Sequence, residues 1–105
     1  IRRRWEAVFL QRFSSGGNLT DAILVSADLT RVSLYYANLN GTNLIDANLR
    51  GADLAEAVLT GARLRGVDLS GANLIDANLE NAVLDGVLGA DFTGALNLPP
   101  RYLKD

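Results

Sequence analysis

The carboxylates are the side chains with the greatest capacity for chemistry in this chain, because the sequence contains neither histidine nor cysteine. Disulfides, thiolate metal sites and histidine-based catalytic triads are therefore excluded. Glu56 and Asp76 are twenty residues apart, and Asp53 is close to Glu56 in sequence. Two carboxylates in contact can work as a general acid–base pair or bind a hard cation. Whether these side chains meet depends on the elements that carry them.

A leucine recurs at every fifth position of the chain, fourteen times without a gap from Leu19 to Leu84. Alanine stands two positions before this leucine in ten of the fourteen units, and Asn or Asp stands one position before it in nine. Glycine stands two positions after it in six units. A five-residue period drifts around a helix, which excludes a helical bundle. The spacing also lacks the L-x-x-L-x-L pattern of leucine-rich repeats.

Each five-residue unit is predicted to be a short extended segment followed by a turn. Residues two apart in an extended chain share a face, so Ala and Leu point inward and the residue between them points outward. The next unit repeats the pattern without alternating, so the two residues after each leucine must turn the chain. Turns in one direction wind the chain into a coil, whose successive levels stack at about 4.8 Å. The sequence therefore predicts an all-β solenoid with a leucine core.

The repeat A-(D/N)-L-x-x, present as ANLNG, ANLRG, ADLAE and ANLEN, resembles the pentapeptide repeat protein family over residues 17–86. The resemblance implies a right-handed quadrilateral β-helix with twenty residues per coil, and thus about three and a half to four coils. Spacing alone leaves the number of sides open. The segment NLIDANL recurs after thirty residues, at 43–49 and 73–79, which would suit three sides as well.

Both ends of the chain depart from the repeat and are predicted to cover the solenoid. The apolar residues of IRRRWEAVFLQRF fall near helical spacing, which predicts a capping helix and linker in residues 1–16. A basic arm for a membrane surface or nucleic acid is the alternative. After Leu84 the register slips, and Pro99 and Pro100 cannot continue a strand ladder but suit the start of a helix. Residues 87–105 are therefore predicted to form a degenerate last coil and a C-terminal cap with a short helix. An uncovered end would favour end-to-end self-association.

With four sides, residues twenty apart stack in columns, and one face then gathers three carboxylates, two tyrosines and an isoleucine without a basic residue. Flat sides offer no cleft, so we expect no catalytic, metal or cofactor site there, and we interpret the carboxylates as a solvated surface. Exposed aromatic residues beside charge are typical of an interaction patch, although packing against the neighbouring coil is an equal alternative. The candidate patch consists of Tyr35, Tyr36, Asp53, Glu56, Ile75 and Asp76.

The family resemblance also implies a DNA mimic that binds a type II topoisomerase such as DNA gyrase. Duplex DNA carries about one negative charge per 1.7 Å along its axis. A coil of three and a half levels spaced by about 4.8 Å would therefore need about ten negative charges to match the charge density of DNA. Residues 17–86 carry nine acidic and four basic side chains, a balance of −5. We therefore expect a non-enzymatic interaction or scaffold module, of a kind abundant in cyanobacteria, and keep the DNA mimic as the alternative.

The expected partner is another protein, with no direct binding of nucleic acid. No apolar stretch reaches the roughly 18–20 residues of a membrane span, and no signal-peptide pattern is visible. These features predict a soluble protein and leave the cytoplasm, periplasm and a lumen open. The first residue is not methionine, as expected of a processed product or a piece of a longer protein.

Overall fold

The structure is a computed structural model, and it describes residues 15–103. Isolated parallel bridges join residues twenty positions apart, from Asn18–Asn38 to Asp68–Leu88. Since one unit has five residues, each coil contains four units. This confirms the predicted stacking of units into columns. Within residues 15–103 the strand segments are single bridge residues, and the one helix is the 3-10 helix Pro100–Tyr102. The same range contains no helix long and apolar enough to cross a membrane.

The repeated leucines form a continuous core along the axis of the coil. Every leucine of the series from Leu29 to Leu84 is at most 2% exposed, and the alanines two positions before them are buried as well. Leu19 and Leu24 are partly buried and pack against the same cluster. The predicted alternation of inward and outward residues is therefore confirmed.

Thr42 stands at one of the alanine positions and is completely buried. Its hydroxyl donates a hydrogen bond to the carbonyl oxygen of Leu19 in the adjacent coil, at 2.9 Å. A buried hydroxyl without such a partner would be destabilising. The bond therefore explains how a polar side chain is tolerated in the apolar core.

Each corner of the coil is a turn closed by one backbone hydrogen bond, such as that from the Ala37 N–H to the Leu34 carbonyl at 3.0 Å. The second residue after each leucine has a positive φ, as type II turns require. Fourteen corners between residues 21 and 86 share this feature, and eight of them carry a residue other than glycine. Tyr36 and Glu56 are among these, at 62° and 58°.

The Asn or Asp before each leucine satisfies a backbone donor of the turn. All nine of these side chains accept the N–H two residues further on, as Asn73 does from Ile75 at 3.0 Å. In the unit centred on Leu39, the other four N–H groups bond to carbonyls of the turn or of the adjacent coils. Every N–H of this unit is thus paired without a long strand.

The register changes in the last coil, as the sequence predicts. Asp68 still pairs with Leu88 at a separation of twenty, whereas Asn78 pairs with Leu96 at a separation of eighteen. Two residues have therefore been lost between these pairs. The shortened unit covers residues 87–89, and it lacks the two turn residues that close the other units.

Gly89 lies where the chain shortens its path, with a φ of 65°. A Cβ at this position would lie 3.1 Å from the Cα of Ser70, closer than ordinary van der Waals contact. Glycine therefore permits both the backbone conformation and the close approach. Phe92 follows three residues later and packs, partly buried, against the leucine core.

The capping helix predicted in residues 1–16 falls largely outside the described residues. Ser15 and Gly16 form the first described turn, and the N–H of Gly16 bonds to the carbonyl of Tyr35 at 2.8 Å. At the other end, Tyr102 of the 3-10 helix packs partly buried against the core.

Candidate interaction surface

Three stacked units, 32–36, 52–56 and 72–76, form the side of the coil that carries the predicted patch. The bridges Ser33–Asp53 and Asp53–Asn73 hold these units in register. We call their shared surface the tyrosine face, and it comprises the side chains of Tyr35, Tyr36, Asp53, Glu56, Ile75 and Asp76. The structure thus brings the six predicted residues onto one side of the coil.

The corner residues of the tyrosine face form one column, in which Tyr36, Glu56 and Asp76 follow one another. The N–H of Tyr36 bonds to the Ala55 carbonyl, and the N–H of Glu56 bonds to the Ile75 carbonyl, each at 2.9 Å. All three corner residues have positive φ, between 58° and 62°. Their backbone is therefore fixed from one coil to the next, and their side chains leave the coil at the same corner.

Tyr35 and Tyr36 are neighbours whose ring centroids lie 6.2 Å apart with the ring planes tilted by 34°. Their exposed fractions are 44% and 66%, and Ile75 is 52% exposed. The two rings and the isoleucine therefore present apolar area to solvent on a surface that also carries charge.

The hydroxyl of Tyr35 donates a long hydrogen bond of 3.4 Å to Oε2 of Glu56. The negative charge of Glu56 raises the pKa of Tyr35, with further contributions from partial burial, from this hydrogen bond and from Tyr36 and Asp53. Asp53 itself points back to the turn and accepts the Ala55 N–H at 3.0 Å. Within residues 15–103 the arginine side chains form ion pairs with Asp68 and Asp85, not with a carboxylate of the tyrosine face.

The tyrosine face contains no assembled metal site. Within the described range, no three or more Asp, Glu, His or Cys side chains gather closely enough to hold an ion. Glu56 and Asp76 are successive members of one corner column rather than the walls of a cleft. The arrangement suits contact with a partner surface more than it suits acid–base chemistry.

A second charged cluster, formed by Asp85, Arg101 and Tyr102, was not predicted from the sequence. The Tyr102 hydroxyl donates to Oδ1 of Asp85 at 2.6 Å and accepts the N–H of Leu84 at 2.8 Å. The guanidinium of Arg101 donates to Asp85 and lies 4.8 Å from the centroid of the Tyr102 ring. The bond from Tyr102, followed by that from Arg101, lowers the pKa of Asp85. The sequence signals at this end were the paired prolines, which predicted a short helix but not its contact with Asp85.

Comparison with known proteins gives consistent matches to one family. A family model described as pentapeptide repeats matches residues 15–51 and 52–94, with eight copies. A pentapeptide repeat protein from the cyanobacterium Cyanothece 51142 is 35% identical with a TM-score of 0.58, over 75% of this chain and 59% of that one. A pentapeptide repeat protein from the Arabidopsis thaliana thylakoid lumen is 35% identical with a TM-score of 0.50, over 73% and 57%. A search of curated proteins gives no match.

The chain thus spans less than two thirds of the length of these two solved structures. Pentapeptide repeat proteins form right-handed quadrilateral β-helices, and the pairing of residues twenty apart agrees with four units per coil. The family model covers more than half of the chain, and its matched range coincides with the stacked units. The chain belongs to the pentapeptide repeat family.

Proposed function

We propose that this chain is a non-enzymatic interaction module and that the tyrosine face is its contact surface for another protein. The observation that carries the proposal is the exposure of Tyr35, Tyr36 and Ile75 on one face of units whose backbone is fixed by the ladder of coils. Tyrosine is among the residues that contribute most to binding at protein interfaces. A rigid surface also loses little conformational entropy when a partner binds.

We propose that the solenoid is a right-handed quadrilateral β-helix of about three and a half to four coils in residues 17–86. Residues 1–16 would form the N-terminal cap and linker, and residues 87–105 the degenerate last coil and C-terminal cap. The partial burial of Leu19 and Leu24 supports the need for a cap at the N-terminal end. Deletion of residues 1–13 should then cause end-to-end association, measured by light scattering, whereas a monomer of unchanged thermal stability would contradict the cap.

The contact surface is tested by capturing partners on the immobilised protein. The double variant Tyr35→Ala/Tyr36→Ala should lose bound proteins that the wild type retains. The control is Ile23→Ala/Val25→Ala, which removes exposed apolar side chains from a different face. Equal loss by both variants, or by neither, would overturn the proposed surface. Inhibition of gyrase supercoiling at micromolar concentration, unaffected by the tyrosine substitutions, would instead support the DNA-mimic alternative.

A further inference from the structure

The C-terminal cluster shows how a tyrosine and a carboxylate of this fold bind a guanidinium together. The hydroxyl of Tyr102 and the side chain of Arg101 both donate to Asp85, and the guanidinium carbon lies 4.8 Å from the ring centroid. The guanidinium therefore has a charged acceptor and an aromatic ring in reach at once. Both contacts stabilise a cation, through the charge of the carboxylate and the quadrupole of the ring.

The tyrosine face presents the same pair of groups on the outside of the coil. The Tyr35 hydroxyl is bonded to Glu56, as Tyr102 is to Asp85, although at the longer distance of 3.4 Å. The Tyr36 ring lies beside it, and Asp76 follows Glu56 in the corner column. No Lys or Arg among residues 15–103 forms an ion pair with these carboxylates. The charge of the face is thus complementary to a cation supplied by another molecule.

We propose that the tyrosine face binds an arginine-bearing segment of a partner protein, with a guanidinium against the tyrosine rings and paired with Glu56. This inference rests on the proposed function and specifies the chemistry of the partner. Arginine fits better than lysine because its planar guanidinium stacks on aromatic rings and donates two parallel hydrogen bonds to a carboxylate. A second arginine of the same segment reaches Asp76, which lies one coil further along the column at a spacing of about 4.8 Å.

The probe is a blocked, fluorescein-labelled peptide with four arginines separated by glycine and serine. Its binding to the whole chain is followed by fluorescence anisotropy at low and moderate NaCl concentration. A peptide in which citrulline replaces each arginine keeps the shape and removes the charge. Because exposed ion pairs are screened by salt, the affinity for the arginine peptide should fall as the salt concentration rises.

The decisive comparison is between two corner carboxylates on different faces. Glu56→Gln should weaken binding of the arginine peptide by about two- to fivefold, and Tyr35→Ala/Tyr36→Ala should weaken it by a similar factor or more. Asp46→Asn is the matched control, because Asp46 also occupies a corner with positive φ but lies outside the tyrosine face. This variant should bind the peptide as the wild type does.

Equal affinity for the arginine and citrulline peptides would overturn the inference, and so would equal effects of Glu56→Gln and Asp46→Asn. Undetectable binding of the arginine peptide to the wild type would overturn it as well. If the capture of partners still depended on Tyr35 and Tyr36 in any of these cases, the proposed function would stand and only the arginine chemistry would fail. If that capture were also independent of the tyrosines, both proposals would fail.

Discussion

Truncation of one central leucine is the most direct test of the leucine core. Leu54 is 0% exposed and lies between Leu34 and Leu74 in the same column. Leu54→Ala removes three carbons, which at about 0.8 kcal/mol each gives a transfer loss of about 2.4 kcal/mol. A cavity adds to this loss when the surroundings cannot collapse, and measured Leu→Ala costs range over roughly 2–5 kcal/mol.

The surroundings of Leu54 are held apart by the backbone ladder. The N–H of Leu54 bonds to the Asn73 carbonyl, and the N–H of Leu34 bonds to the Asp53 carbonyl, each at 2.8 Å. The adjacent coils therefore cannot approach each other without breaking these bonds. We expect Leu54→Ala to lower the free energy of unfolding by about 4–5 kcal/mol, at the upper end of the range.

Asn73→Ala is the matched outward substitution, because Asn73 directly precedes the next leucine of the same column. Its side chain accepts the Ile75 N–H at 3.0 Å on the exposed surface. Water can replace this acceptor, so the expected loss is about 1 kcal/mol. Urea denaturation followed by circular dichroism, with the slope m compared between variants, measures both losses. Coincident midpoints for the two variants would refute a core built from leucines.

Three further substitutions test the corners and the C-terminal cluster. Arg63→Asn supplies the missing side-chain acceptor for the N–H of Arg65, and it should raise the free energy of unfolding by about 0.5–1 kcal/mol in urea denaturation; no gain would contradict the role assigned to Asn and Asp. Glu56→Gly should be more stable than Glu56→Ala by about 0.5–1 kcal/mol, because both remove the carboxylate and only glycine relieves the positive φ; the reverse order would show that the corner is unstrained. The pKa of Asp85 is lowered in the folded protein, where its carboxylate accepts a hydrogen bond from Tyr102. This bond therefore contributes its full stability at pH values above the unfolded-state pKa of about 3.9. The contribution is lost as the pH falls through the lower folded-state pKa. Asp85→Asn should therefore be less stable than the wild type at pH 7, and the difference should shrink in urea titrations toward pH 3; a constant difference would exclude the linkage.

The coil could be predicted from the sequence because each turn and each inward-pointing side chain is specified within a single five-residue unit. The five-residue period fixes which residues point inward, and Asn or Asp at the outward position predicts a turn. The number of sides could not be derived from spacing, because it depends on which distant residues pair, such as Asp53 with Asn73. The sequence also shows threonine in place of alanine at Thr42. Its hydrogen bond to Leu19 could not be predicted in the same way, because the bond forms only when two coils stack.

The candidate patch followed from the columns once four sides were assumed. The structure places its residues on one face, but the contact between Tyr35 and Glu56 depends on side-chain rotamers that a repeat pattern does not specify. The cluster at Asp85 was missed for a different reason. The three-residue unit at 87–89 breaks the constant relation between sequence separation and position, so Arg101 and Tyr102 could not be assigned to a column in advance.

Because residues twenty apart are paired, the length of an insertion determines on which side of the coil the later residues lie. Duplication of one complete set of four units, such as 37–56, would lengthen the coil by one level and leave every downstream side chain on its original side. Insertion of a single five-residue unit would preserve each turn and each buried leucine, yet it would rotate all later units by a quarter turn. Between Tyr36 and Glu56, such an insertion would move Glu56 and Asp76 to another side while the core stayed intact. In this architecture, the five-residue unit maintains the turns and the buried core. The twenty-residue coil determines which side chains share a surface.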